Sequence, residues 1–263
     1  MSLCFENDGR QLVLRPCTRL PSLPNTPTTK VIVKNRYPHD PLAFTQGLVL
    51  APDGKRYFES LGLYGRSELR EVELVTGKVL RKYKLPANQF AEGLVVLPSD
   101  QLVQLTWREG IVHVYPSNFT NGPSSSFRWN REGWGLTYHK DSLILSDGSS
   151  TLYFLQAQVP WAVQRTLSVR SVINNRYQPV LHLNELEMVG DDLYANIWLE
   201  RKIAVIDLAT GLVKHWLDLS SLPAVMKGSD AVLNGIAYHS PTSRLFVTGK
   251  LWPYVYEIES TFR

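Results

Sequence analysis

The chain has 263 residues, 44% of them hydrophobic, which is enough for a substantial core built as one large domain or two small ones. Its 28 basic and 24 acidic residues leave a net charge of +4 with no run of like sign, which argues against a nucleic-acid-binding face. No apolar run approaches the ~20 residues of a membrane-spanning helix and no signal-peptide pattern is found, so a soluble chain without a membrane span is expected.

Residues 1–30, rich in Pro, Thr and Ser, read as a surface arm separate from the main domain. Both cysteines, Cys4 and Cys17, fall in it. They either form one bond that pins the arm, which would favour an oxidising compartment, or stand as two unpaired thiols. TKVIVKNRY then reads as a strand, and beyond it the chain repeats itself. FTQGLVL (44–50) is followed by FAEGLVVL (90–97), EGWGLTYHKDSLILSDG (132–148), NELEMVGDDLYANIW (184–198) and LNGIAYHSPTSRLFVTGK (233–250). Aligned on Gly47, Gly93, Gly135, Glu187 and Gly235, the copies are spaced by 46, 42, 52 and 48 residues, as propeller blades are.

Each copy has a glycine-marked apolar strand, a polar turn such as APDG, HKDS, VGDD or SPTS, and a second strand. LVTG (74–77) and LATG (208–211) mark a further tight turn joining two more strands, which makes four per unit. The expected fold is therefore all-β: a five-bladed β-propeller of four-stranded antiparallel blades over residues 31–263. TKVIVKNRY is expected to pair with the C-terminal YVYEIES so that the ring closes without a free sheet edge. SLPAVMKGSDAV (221–232) is the best candidate for a single short helix.

First strands of blades line a common axis, so the residues beside the repeated glycine converge. The glycine itself lets inner strands crowd together. Its neighbours are Gln46, Glu92, Trp134, Leu186 and Asn234, and polar groups at such a place point to a site, because buried amides and carboxylates are costly without partners. Phe44 and Phe90 precede Gln46 and Glu92 by two, on the same strand face. Trp107, Trp134, Trp198 and Trp252 fall near strand ends and suggest an aromatic cup. His39, His113, His139, His182, His215 and His239 show no close ligand spacing and read as turn or surface residues.

YPHDPLAFTQGL, FAEGL, LTW, EGWGLTY, LNELE, ANIWL, IAVIDL, LNGIAY and VTGKLWP, in this order, resemble the plant and bacterial type of glutaminyl cyclase, or glutamine cyclotransferase, from about residue 31 to the C terminus. The resemblance implies a five-bladed propeller that converts the N-terminal glutamine of peptides to pyroglutamate and ammonia, without metal or cofactor. It also implies a periplasmic or secreted setting, and a monomer is expected. Functional positions carry over to Phe44, Gln46, Phe90, Glu92, Trp107, Trp134, Asn184, Trp198 and Lys250.

Such a reaction joins a residue's own α-amine to its side-chain amide, so it needs no enzyme nucleophile. Glu92 suits the proton shuttle, Asn184 and Lys250 the oxyanion, and Gln46 the orientation of the amine or amide. Glu132 is a second carboxylate candidate, and Glu185 or Glu187 is an ion-pair candidate for Lys250 or Arg201. Two rival functions remain at this point. One is a metal-dependent lactonase-like hydrolase using Glu92, Asn184 and Asn234 around calcium, which chelation would inactivate. The other is a non-catalytic propeller that binds peptides without releasing ammonia.

Overall fold

The computed structural model describes residues 3–7 and 12–16 as backbone, and residues 23–156, 161–222 and 230–260 in full. The choice between a Cys4–Cys17 bond and two unpaired thiols, and most of the short helix expected at 221–232, lie outside the described residues.

Strands β1 (Leu3–Asn7) and β2 (Leu12–Pro16) form an antiparallel hairpin within the expected arm, and β3 (Thr28–Pro38) follows. Each copy of the repeated phrase then contributes to a set of four antiparallel strands. The first set is β4 (Thr45–Leu50), β5 (Arg56–Leu61), β6 (Glu68–Glu73) and β7 (Val79–Lys84). The second is β8 (Ala91–Val96), β9 (Leu102–Thr106), β10 (Ile111–Tyr115) and β11 (Ser125–Arg128). The third is β12 (Leu136–His139), β13 (Ser142–Ser146), β14 (Thr151–Gln156) and β15 (Val163–Ser168).

A side hairpin, β16 (Arg170–Ile173) and β17 (Arg176–Pro179), precedes the fourth set of β18 (Leu183–Val189), β19 (Asp192–Ile197), β20 (Lys202–Asp207) and β21 (Val213–Asp218). The fifth set joins β22 (Leu233–His239), β23 (Arg244–Gly249) and β24 (Tyr254–Ser260) to β3, which pairs with β24 from Pro38 to Val31. The start of β3 also runs parallel to β21, so the fourth and fifth sets share one eight-stranded sheet. No helix among the described residues is long and apolar enough to cross a membrane.

Local chemistry explains these elements. β5, β9 and β20 are buried along both faces because they lie between neighbouring sheets, whereas the edge strand β7 is largely exposed and carries Arg81, Lys82 and Lys84. LVTG and LATG turn tightly because Gly77 and Gly211 adopt a left-handed backbone, φ 69° and 72°, that side chains resist.

The first strands of the five sets touch in a cycle: β4 with β8, β8 with β12, β12 with β18, β18 with β22 and β22 with β4. The repeated glycines permit this. A Cβ on Gly47 would come within 2.6 Å of the Leu94 amide nitrogen, and one on Gly135 within 1.9 Å of the Asn184 carbonyl oxygen. Apolar clusters then fill the spaces between adjacent sets, as where Ile144 and Phe154 pack with Leu186 and Ile206.

One buried ionic cluster anchors the first set to the last. His39 donates from Nε2 to Glu59 Oε1 at 2.7 Å and from Nδ1 to the Trp252 carbonyl. Both partners are acceptors, so both ring nitrogens carry protons. Glu59, fully buried, also accepts from Thr45 Oγ1 and Arg70 Nε, and Arg70 reaches Asp40. Burial alone would raise the Glu59 carboxyl, but His39 and Arg70 hold it down to about 2. Burial alone would lower His39, yet Glu59 and the Trp252 carbonyl leave it raised. The expectation that all six histidines sit at turns or on the surface is corrected here: His39, His113 and His215 are buried, and His239 is buried too although it does sit at a turn.

Glu59→Gln leaves two buried cations short of their counter-charge and should destabilise the fold by roughly 3–5 kcal/mol in denaturant unfolding. Because the folded-state carboxyl lies below its ordinary value, the Glu59 contribution is complete above about pH 4.5 and is lost as pH falls toward 2. The variant's stability deficit should therefore shrink across that window, and a deficit independent of pH would contradict the assignment.

Candidate active site

Two sets of equivalent positions build the site. In four of the first strands, pairing shifts register between Thr45 and Gly47, Ala91 and Leu94, Leu183 and Leu186, and Leu233 and Ile236. Such a bulge re-aims the extra side chain. The residues in that place are Gln46, Glu92, Asn184 and Asn234, with Trp134 just ahead of β12 in the third set. The second set of positions follows the residue that closes each first hairpin. It holds Gly62, Trp107, Trp198 and Lys250, whose amides bond back to Phe44, Phe90, His182 and Val232. Directly after three of these the chain turns through left-handed leucines, Leu63 (φ 91°), Leu199 (70°) and Leu251 (61°). Leucine is unfavourable there, which is the kind of local strain found at functional sites.

Gln46, Glu92, Trp134 and Asn184 from the first set of positions, and Trp107, Trp198 and Lys250 from the second, open into one cavity of about 450 Å³. All nine residues named from sequence line it: Phe44, Gln46, Phe90, Glu92, Trp107, Trp134, Asn184, Trp198 and Lys250. Phe90 is the aromatic hub, edge-on to Phe44 at 6.2 Å and 5.4 Å from both Trp107 and Tyr64. Gly62 makes room for it, since a Cβ there would sit 2.3 Å from the Phe90 ring. Trp134 and Trp198 meet edge to face at 5.8 Å.

Glu92 is 5% exposed and accepts from Gln46 Nε2 at 3.0 Å; Gln46 Oε1 in turn accepts from Asn234 Nδ2 at 3.1 Å. Burial drives the Glu92 carboxyl well above the ordinary carboxylate range; Lys250 opposes the shift, and Glu132 and Glu109 add to it. Lys250 is 6% exposed with Nζ 4.7 Å over the Phe44 ring. Burial lowers its proton affinity, against the pull of Glu92 and Asp230. Among the described residues Glu92 and Lys250 form no direct ion pair, so each keeps hydrogen-bonding capacity toward the cavity. Asn184 is buried and its Oδ1 has no hydrogen-bond partner. No group of three or more His, Cys, Asp or Glu among the described residues is arranged to hold a metal ion.

Three sequence expectations are corrected. Register places Asn184, not Leu186, with Gln46 and Glu92, and Glu185, not Glu187, with the glycines. Neither acid pairs with Lys250 or Arg201. Glu185 accepts backbone amides from Ile236 and, more weakly, Leu48, while Glu187 accepts from Tyr238. Burial raises both carboxyls, Glu187 to about 8. Trp252 is core, 3% exposed and packed on Tyr256, with Nε1 donating to the Ala231 carbonyl.

Sequence reasoning missed how the cup is held. One oxygen of Glu132, Oε2, accepts Nε1–H from both Trp107 (2.8 Å) and Trp134 (3.1 Å), while Oε1 accepts from Arg108 at 3.1 Å. The Arg108 guanidinium lies 3.8 Å over the Trp107 ring. Burial would raise the Glu132 carboxyl, but these donors keep it lowered. Arg108 and Asp230 also line the cavity, and no repeated phrase marks either.

The glutamine cyclotransferase family model matches residues 11–260, reaching further toward the N terminus than the motifs do. Over 235 residues the chain is 37% identical to the glutaminyl-peptide cyclotransferase of Arabidopsis thaliana, covering 88% of this chain and 71% of that one. The crystal structure of the Myxococcus xanthus glutaminyl cyclase matches with a TM-score of 0.79 at 34% identity, covering 89% of this chain and 98% of that one.

Glu132→Ala removes the acceptor shared by two indoles. In a folded variant the indole N–H resonances of Trp107 and Trp134 should shift together while those of the other tryptophans stay in place. Movement of only one would show that the acceptor is not shared.

Proposed function

The chain belongs to the glutamine cyclotransferase family, and from that premise we propose how its residues carry the reaction of a glutaminyl-peptide cyclotransferase, N-terminal glutamine to pyroglutamate with loss of ammonia. We place the five sets of strands as blades of one closed five-bladed propeller, which the cycle of first-strand contacts supports. The aromatic cavity at one end of those strands receives the glutamine.

The observation that carries this reading is Glu92, a single buried carboxyl whose proton affinity is raised in an aromatic cavity that also presents Lys250 and Asn184. The substrate's α-amine attacks its own side-chain amide carbon. A C–N bond forms and the amide oxygen becomes an oxyanion; the bond to the amide nitrogen then breaks, and one proton passes from the attacking to the departing nitrogen. A free α-amine titrates at roughly 7.7–8.0. A carboxylate of ordinary affinity would be a weak acceptor for that proton and would return it poorly. The raised affinity of Glu92 matches both transfers.

Lys250 and Asn184 are the oxyanion donors, acting in a cavity where little water screens them. Gln46, held between Asn234 and Glu92, fixes the carboxylate as well as facing the substrate. Phe44, Phe90, Trp107, Trp134 and Trp198 grip the glutamine side chain and exclude water. With nucleophile and electrophile on one residue, proximity is supplied by the substrate itself. The reaction is an acyl transfer to an internal amine that uses no metal. A monomeric state and a periplasmic or secreted setting complete the proposal; sedimentation and cell fractionation check them.

On a Gln-initiated peptide, coupled ammonia detection should show turnover that survives chelation. Glu92→Gln, which keeps the bond to Gln46, should lower kcat by about 10²–10⁴ without unfolding; turnover near that of the unmodified protein would remove Glu92 from the mechanism. In Lys250→Met the acid limb of the pH–rate profile should move to higher pH, because the lysine charge that holds the Glu92 carboxyl down is gone. A move to lower pH would contradict the pairing of roles.

A further inference from the structure

Next to the aromatic cavity lies a second one of about 260 Å³, and Phe44 is a wall common to both. Four cations, Arg66, Arg70, Lys82 and Lys84, line it against two carboxylates, Asp40 and Glu68, an excess of two positive charges. The pairing shows where the excess resides. Asp40 binds Arg70 and Glu68 binds Lys82, each at 3.0 Å or less, and the other acid on Arg70, Glu59, is matched by His39. Arg66 and Lys84 are left without an ion pair among the described residues. Arg70 is 5% exposed and its Nη2 has no hydrogen-bond partner, so the wall also holds an unspent buried donor.

Lysines on the edge strand β7 also discourage strand pairing, and Lys82 and Lys84 serve that end regardless. Edge protection does not account for Arg66, in the turn between β5 and β6, or for Arg70 inside the sheet. Their convergence with Lys84 on one hollow, one aromatic ring away from the reacting glutamine, calls for a negatively charged occupant.

We propose that this cavity is a subsite for a carboxylate carried by the peptide substrate beyond its N-terminal glutamine. The inference rests on the cyclotransferase reading and adds a sequence preference to it. An extended chain advances about 3.3–3.6 Å per residue, so clearing the width of the Phe44 ring takes roughly two residues. The third residue of the substrate is the one that enters. The carboxylate belongs to an acidic side chain there, or to the free C terminus of a tripeptide, which sits at the same distance.

The test compares kcat/KM, from ammonia release, for amidated Gln-Ala-X-Ala peptides with X as Glu, Ala or Lys, with the acidic residue also moved to positions two and four. A free and an amidated Gln-Ala-Ala tripeptide distinguish the two sources of the carboxylate. At low salt Glu at position three should exceed Ala by roughly fivefold, the size of one partly screened ion pair, with Lys below Ala. The Glu/Ala ratio should approach one at high salt, where the screening length falls to about 3 Å. In Arg66→Gln/Lys84→Gln the ratio should collapse toward one. Equal rates for all three peptides at every position, or a ratio that survives in the double variant, would overturn the subsite while leaving the cyclotransferase reading intact. Absence of ammonia from every peptide, the neutral one included, would overturn that reading and the subsite with it.

Discussion

The close approach of the five first strands is the constraint from which the site follows. Where Gly47, Gly93 and Gly135 stand, the neighbouring strand lies nearer than any Cβ allows, so backbone meets backbone along the line where the sheets converge. Strands so crowded cannot send side chains sideways. Bulges in four of the strands re-aim one residue each, and of these Gln46, Glu92 and Asn184 line the cavity while Asn234 supports Gln46 from behind. The site is thus a by-product of crowding: identical backbone geometry delivers chemically different groups to one hollow.

Electrostatics then divides the acids by their partners rather than by their depth. Glu59 and Glu92 are both buried, yet Glu59 is held down to about 2 by His39 and Arg70, while burial pushes Glu92 upward and Lys250, which forms no ion pair with it, opposes the shift only in part. Glu132, at the mouth, is occupied by two indoles and a guanidinium. One acid therefore fastens the frame, one braces the aromatic wall, and one has its proton affinity raised by burial. The distance between Glu92 and Lys250 preserves this division, because a direct ion pair would return Glu92 to the ordinary carboxylate range.

Much of this was legible in the sequence because repetition writes geometry into spacing. The glycine phrase located the first strands, and the residue types beside it named the cavity's lining. The fourth copy is the exception, because its glycine position holds Glu185; with no glycine to align on, spacing alone points to Glu187, two residues along. The histidine, glutamate and arginine of the buried cluster lie on three different segments, and nothing local in the chain betrays that they meet. Trp252 was grouped with the cup tryptophans because a strand end looks alike from either side, and only packing on Tyr256 separates them. Glu132 was seen as a carboxylate but not as a brace, since the hydrogen bonds that define it come from Trp107, 25 residues away, and Arg108.

Glu185 has a wider implication for anyone redesigning the protein. It stands where its four counterparts are bare glycine, and its carboxyl group receives main-chain amides from strands β4 and β22 in two other units. The fivefold pattern is therefore deliberately lopsided: one module carries the tie that fastens two of its siblings. A consensus averaged over the modules would write glycine at that place and strip the tie, so an artificial version assembled from identical copies would have to supply it by other means.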